Sequence, residues 1–339
     1  MKNRWYLSIL VMGACANAAV AQQGLPHGRI LRHLTVDGVV REVVLHVPAS
    51  VDSTRDVPVV FMFHGTSGSG EKFYNISGWV EKADAEGFIA VFPSALSYCL
   101  GDDENYNHVI EPDEFKVTTK WAAGALGTPT MPLCTDEQIA ALPPARQHEI
   151  ETRVLRDDVA FVDAIVTAIE QELPVDARRL YVSGFSNGAS MSGRLLIDRS
   201  DTFAAFALAA GLPVVPGPAQ RPAPVAFTVG SLDDRFLTPL GLASLPLDEG
   251  FLEIPQVRDA MGTIALDVQL DDTRFTYAPV PVQGHLVPTF TYDQSLVGAS
   301  NLFRVAVIEG ATHQYPNGRN HPLVMANVLW TFFSGYSLP

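Results

Sequence analysis

The chain of 339 residues is 47% hydrophobic and 18% charged, the proportions of a folded globular protein rather than a disordered one. That length can bury a sizeable core, as one large domain or two modest ones. A formal net charge of −14 weighs against nucleic acid as a partner, because no basic stripe could neutralise a run of phosphates, and equally against an anionic membrane surface.

The amino terminus carries Lys2 and Arg4, then a short apolar run over residues 7–14, then Ala19-Val20-Ala21 ahead of Gln22. A basic start, an apolar stretch too short to span a bilayer and a small-residue site form the pattern of a cleaved export signal over residues 1–21. Residues 22–339 are then expected as one catalytic domain, secreted or periplasmic. Met12-Gly13-Ala14-Cys15 gives a competing reading, with Cys15 as a lipidated first residue. Beyond the signal the chain holds two cysteines, Cys99 and Cys134. In an oxidising compartment such a pair is most simply a disulfide; in a reducing one it is two free thiols. Neither their spacing nor their neighbours suggest a metal site, and no C-x-x-C occurs.

Residues 31–36 and 43–47 read as antiparallel strands joined through Asp37-Gly38. Residues 57–63, 88–92, 180–183, 204–209, 224–229 and 302–308 are short, dense apolar runs, which suits strands buried on both faces of a sheet. Helical patterns fall at 79–86, 157–172, 188–198 and 322–333. In the second of these Val159, Val162, Ile165, Val166 and Ile169 mark one apolar face. The alternation predicts an α/β fold with a mainly parallel central sheet flanked by helices. Two long segments interrupt it, residues 97–147 and 238–300. Both read as loop-like insertions, serving as lid or rim or simply packing over a sheet end.

Gly184-Phe185-Ser186-Asn187-Gly188 matches G-x-S-x-G between a predicted strand and a predicted helix. A serine on that sharp turn projects its hydroxyl above the sheet, and flanking glycines avoid collisions there. An ordinary helix N-cap would explain Ser186 but not both glycines. A hydroxyl becomes a nucleophile only when a base removes its proton and a carboxylate holds that base. His285, His313 and His321 follow the serine. His313, in the loop leaving the strand at 302–308, has the favoured position for the base. His321 reads as a helix-start or surface residue, and His285 as part of the rim. After the strand at 224–229, Asp233 and Asp234 compete for the role of acid. The small-residue loop His64-Gly65-Thr66-Ser67-Gly68-Ser69-Gly70 follows another strand and nominates the Thr66 N–H as an oxyanion donor beside that of Asn187. His64 itself reads as structural, hydrogen-bonding within its loop.

HGTSGSG (64–70), DDVAFVDAIV (157–166), VSGFSNGASMSGRL (182–195), GSLDD (230–234) and GATHQYP (310–316) occur in that order. Together they make a chain that resembles the polyhydroxybutyrate depolymerase/feruloyl esterase (LpqC-like) group of α/β hydrolases, over roughly residues 41–338. The resemblance implies an exported serine carboxylesterase without metal or organic cofactor. It makes Ser186 the nucleophile, His313 the base and Asp233 the acid, the last through the family's Gly-x-x-Asp run, here Gly230 to Asp233. Thr66 and Asn187 fall at its oxyanion positions. The sequence departs from the family in having Val229 where a histidine precedes that glycine, and Gly310-Ala311-Thr312-His313 where the family has GxGH. Little sequence follows the helix after His313, so no carboxy-terminal polymer-binding module is expected, and crystalline polymer is the less expected substrate.

The expected partner is an ester: a small ester, a polyester oligomer, or an acetyl or feruloyl group on polysaccharide. Tyr98, Tyr106, Phe115 and Trp121 could stack on an aromatic acyl group or merely pack the insertion. The alternatives are a serine peptidase on the same fold and a hydrolase-like binding protein with a degenerate site.

Overall fold

The computed structural model describes residues 24–103, 107 and 109–339. The export-signal reading over 1–21, Cys15 and Tyr106 lie outside the described residues.

The chain opens with a hairpin, β1 (Gly28–Val36) and β2 (Val39–Val47), turned at Asp37-Gly38, both with positive φ. It continues through β3 (Val57–Phe63), α1 (Gly70–Ile76), α2 (Trp79–Glu86) and β4 (Ile89–Pro93). The first insertion follows, with β5 (Ser97–Gly101), β6 (Phe115–Thr119), α3 (Asp136–Ala141) and α4 (Pro144–His148). Then come α5 (Asp158–Glu172), β7 (Val175–Phe185), α6 (Asn187–Asp198), β8 (Ala205–Ala209) and β9 (Val225–Gly230). The second insertion contributes α7 (Asp234–Leu240), α8 (Gly250–Glu253), α9 (Pro255–Asp267), β10 (Thr276–Val282) and β11 (His285–Tyr292). Strand β12 (Phe303–Ile308) and α10 (Met325–Phe333) complete it.

Ten strands form one sheet in the order β1-β2-β4-β3-β7-β8-β9-β12-β11-β10. From β4 to β12 every neighbour is parallel, and antiparallel strands extend the sheet at both edges. Alternation along β3 shows how the two faces fill. Val59, Phe61 and Phe63 join the cluster with Val162 of α5, Leu195 of α6 and Ile264 of α9. Val60 and Met62 face the cluster with Trp79 of α2 and Leu329 of α10. Helices on both faces explain why the central strands are continuous apolar runs.

Register places the site. Phe63 pairs with Gly184, Phe185 with Ala209, Ala209 with Thr228, and Gly230 with Ile308. The carboxyl ends of β3, β7, β8, β9 and β12 therefore finish along one edge, and the loops leaving them meet.

Both insertions correct the loop-like reading. In the first, β5 and β6 form a separate two-stranded sheet, and a Cys99–Cys134 disulfide with a Cα–Cα distance of 5.3 Å ties the middle of β5 to the segment ahead of α3. In the second, β10 and β11 belong to the main sheet. Pro279 and Pro281 argue against a strand, yet β10 is the outermost strand, where a missing N–H costs no ladder bond.

Candidate active site

At the end of β7 the backbone turns sharply, and Ser186 takes φ 55° and ψ −123°. A non-glycine residue in that region costs about 1–3 kcal/mol, which the surrounding structure must supply. It does so with close packing that only glycine allows. A Cβ on Gly184 would stand 2.0 Å from the Gly188 carbonyl oxygen, and one on Gly188 would stand 2.2 Å from that of Phe63. Gly211, after β8, is a third such position that the motif does not reveal: a Cβ there would stand 2.2 Å from the Ser186 carbonyl oxygen. The Ser186 N–H donates to the Ala209 carbonyl at 2.8 Å, fixing the turn to β8.

His313 Nε2 lies 2.9 Å from Ser186 Oγ, and His313 Nδ1 lies 2.9 Å from each carboxylate oxygen of Asp233. A carboxylate only accepts, so Nδ1 carries the ring proton and Nε2 is left to accept from the serine hydroxyl. Asp233 is fully buried, and one of its oxygens also accepts the Arg235 N–H at 3.0 Å, capping α7. Asp234 is exposed in the first turn of that helix. The acid and histidine loops are laced together. Ser231 Oγ accepts from the Gly310 N–H at 2.9 Å, and the Leu232 N–H donates to the Ala311 carbonyl at 2.9 Å. A Cβ on Gly230 would fall 2.2 Å from that same carbonyl oxygen. The two departures lie beside these loops: Val229 is a buried core residue, and Ala311 packs inward while Thr312 faces out.

His321 lies elsewhere, its Nε2 3.0 Å from the Glu309 carbonyl and its Nδ1 accepting from the Leu323 N–H. His285 opens β11 and is exposed. His64 is buried, its Nδ1–H donating to Gly65 O at 2.7 Å and its Nε2 accepting from the Ala95 N–H at 2.9 Å. Burial depresses its pKa from 6.5 to about 4.

Thr66 and Asn187 line the same cleft as Ser186 and His313. Asn187 opens α6, so its N–H has no acceptor within the helix. The loop bearing Thr66 is braced by β6: the Ser67 N–H donates to Thr119 O at 3.0 Å, and Thr119 Oγ1 donates to Gly68 O at 2.7 Å. Immediately after β6, the Trp121 N–H donates to Asn187 Oδ1 at 2.6 Å, and its indole Nε1–H donates to His64 O at 2.8 Å. The next residue, Ala122, donates to buried Asp158, which pairs with Arg41 at 2.6 Å. Trp121 is thus a clamp between the first insertion, the elbow and the β3 loop. Tyr98 is buried in the insertion and Phe115 is half-buried on β6.

The cleft has a volume of about 560 Å³ and includes Lys116, Lys120, Met131, Val214 and Arg235 on its walls. A second, apolar cavity of about 420 Å³ shares Ser190, Gly211, Val214 and Arg235 with it and runs on to Phe236, Phe251 and Met261. Among the described residues, no cluster of three or more His, Cys, Asp or Glu side chains is placed to hold a metal ion. None of the described helices is long and apolar enough to cross a membrane.

No protein-family model matches the chain. It is 28% identical over 222 residues to the putative esterase NocK of Nocardia uniformis subsp. tsuyamanensis, covering 64% of this chain and 52% of that one. The chain thus spans about half the length of the curated relative it matches. It is also similar in structure to an acetyl xylan esterase from Aspergillus awamori, with a TM-score of 0.51 at 13% identity, covering 90% of this chain and 99% of that one. Sheet order, elbow and this likeness give the chain the α/β-hydrolase fold.

Proposed function

We propose that the chain is an exported serine carboxylesterase of the polyhydroxybutyrate depolymerase/feruloyl esterase kind. The observation that carries this reading is the unbroken line from Ser186 Oγ through His313 to buried Asp233, each link 2.9 Å long. His313 takes the hydroxyl proton as Ser186 Oγ attacks the ester carbonyl, and Asp233 stabilises the resulting imidazolium. The Thr66 and Asn187 N–H groups face the oxyanion of the tetrahedral intermediate. On its collapse His313 returns the proton to the departing alcohol, leaving Ser186 acylated. Water, deprotonated by His313, then releases the acid and restores the serine. The similarity to a putative esterase supports ester over amide as the scissile bond. The apolar cavity beside Ser190 suits a short alkyl or aryl chain better than a polysaccharide surface.

Purified enzyme and Ser186→Ala, assayed on p-nitrophenyl acetate and butyrate, methyl ferulate and a soluble 3-hydroxybutyrate oligomer, test the reading together with a fluorophosphonate probe. Serine-dependent turnover and labelling are expected, and the preferred ester decides between polyester and plant-wall chemistry. Wild-type protein that neither turns over any ester nor takes the probe would refute the proposal.

A further inference from the structure

The apolar cavity opens from the cleft at Ser190 and Gly211, against the backbone of the nucleophile itself. The Ser190 N–H donates to the Ser186 carbonyl at 3.1 Å, and Gly211 packs against the same oxygen. His313 and Thr66 line the cleft but not this cavity. In acyl transfer the alcohol leaves beside the histidine that protonates it. A cavity that starts at the serine turn and avoids that histidine therefore belongs to the acyl half of the ester.

Its walls show what that acyl group is. Leu212 and Val214 come from the loop after β8, and Phe236 and Leu240 from α7. The buried lining beyond them is Phe227 of β9, Phe251 of α8 and Met261 of α9. Among the described lining residues the polar side chains are Ser190, Arg235 and Gln256; the first two also line the cleft, and the third is exposed. A feruloyl or 3-hydroxyacyl group would carry oxygen atoms in among phenylalanine and methionine side chains, where an unpaired polar group costs free energy. A hydrocarbon chain brings no such cost. A water molecule takes about 30 Å³ of liquid volume and a methylene group is of similar size, so a cavity of about 420 Å³ has room for a chain of about eight carbons.

We infer that this cavity is an acyl pocket for unbranched alkanoyl chains longer than butyryl, and that the second insertion, through α7, α8 and α9, sets their length. The inference rests on the serine esterase reading and narrows its acyl group. It also makes the insertion a specificity wall rather than packing over a sheet end.

The test reads kcat/KM along p-nitrophenyl esters from acetate to dodecanoate, kept below their solubility limits, and along butyrate esters of straight-chain alcohols. We expect the acyl series to rise about fourfold per methylene from butyrate to octanoate and then level off, the scale of one buried methylene. The alcohol series should stay nearly flat, and methyl octanoate should be turned over faster than methyl ferulate. Ala260→Phe, which fills the cavity from α9, should lower the octanoate-to-acetate ratio by about tenfold or more. Met261→Ala, which deepens it, should raise the decanoate-to-octanoate ratio several-fold. Each ratio is read within one protein, so a partly folded variant still reports. An octanoate-to-butyrate ratio at or below one, methyl ferulate ahead of methyl octanoate, or ratios that neither substitution moves would each overturn the inference. Ser186-dependent turnover of acetate or butyrate would then leave the esterase reading standing. Loss of all serine-dependent turnover and probe labelling overturns both.

Discussion

Asp233 holds its histidine with both carboxylate oxygens and caps α7 with one of them, whereas its neighbour Asp234 points into solvent. The difference follows from the helix start: an N-cap side chain folds back over its own helix, while the next residue radiates outward. Asp233→Asn keeps the shape but offers an amide that can donate toward Nδ1, which favours the wrong imidazole tautomer. We expect it to lower kcat by about 10⁴ with little change in KM, as such a tautomer error does in serine proteases. Asp234→Asn should stay within about twofold, because an exposed surface charge contributes little. Steady-state kinetics on p-nitrophenyl butyrate checks both, and a crippled Asp234→Asn with a healthy Asp233→Asn would reassign the acid.

The first insertion is a wall of the site: β6 braces the Thr66 loop with Thr118 and Thr119, then delivers Lys120 and Trp121 to the cleft. Its own stability depends on the Cys99–Cys134 bond, which spans a sequence separation of 35. Closing a loop of that size stabilises the folded chain by about 4 kcal/mol in the chain-entropy description. A Cys99→Ser/Cys134→Ser protein should therefore unfold at lower denaturant and lose turnover before the sheet melts, because β6 loosens first. Intact mass before and after reduction verifies the bond in the wild type. Equal turnover in the double variant would mean that β6 holds the loop unaided. The sequence made the central strands readable because burial on both faces leaves uninterrupted apolar runs such as Val57–Phe63. It hid β5 and β6 because a long connection separates the arms of that hairpin, so no tight-turn signal joins them. It hid β10 because Pro279 and Pro281 deny a strand wherever the edge position is unknown. At the candidate site, the meeting of Ser186, Asp233 and His313 was legible from motif and resemblance, since each follows a recognisable strand. The Trp121 clamp on Asn187 carries no local pattern; only the fold brings residues 121 and 187 together.

At the scale of the whole molecule, the six parallel strands work as a common base whose carboxyl ends are held level by register, and His64 is placed where that base meets the site. It follows β3 in the middle of the sheet, with Trp121 clamped to its carbonyl oxygen and Ala95 beyond β4 donating to its ring. Both ring nitrogens are used in the neutral form, and burial keeps the pKa near 4 against an ordinary 6.5. Since the folded state resists the proton that the unfolded chain accepts, this histidine's contribution is fully present above about pH 6.5 and is lost as the pH falls towards about 4. The difference corresponds to about 3 kcal/mol. Urea unfolding of wild type at pH 7.5 and pH 4.5 should therefore show a marked drop in stability. His64→Gln should be weaker at pH 7.5, because the Ala95 and Gly65 contacts are disturbed, yet fall less between the two pH values, because its side chain does not titrate. Equal drops in the two proteins would place the acid sensitivity in another group.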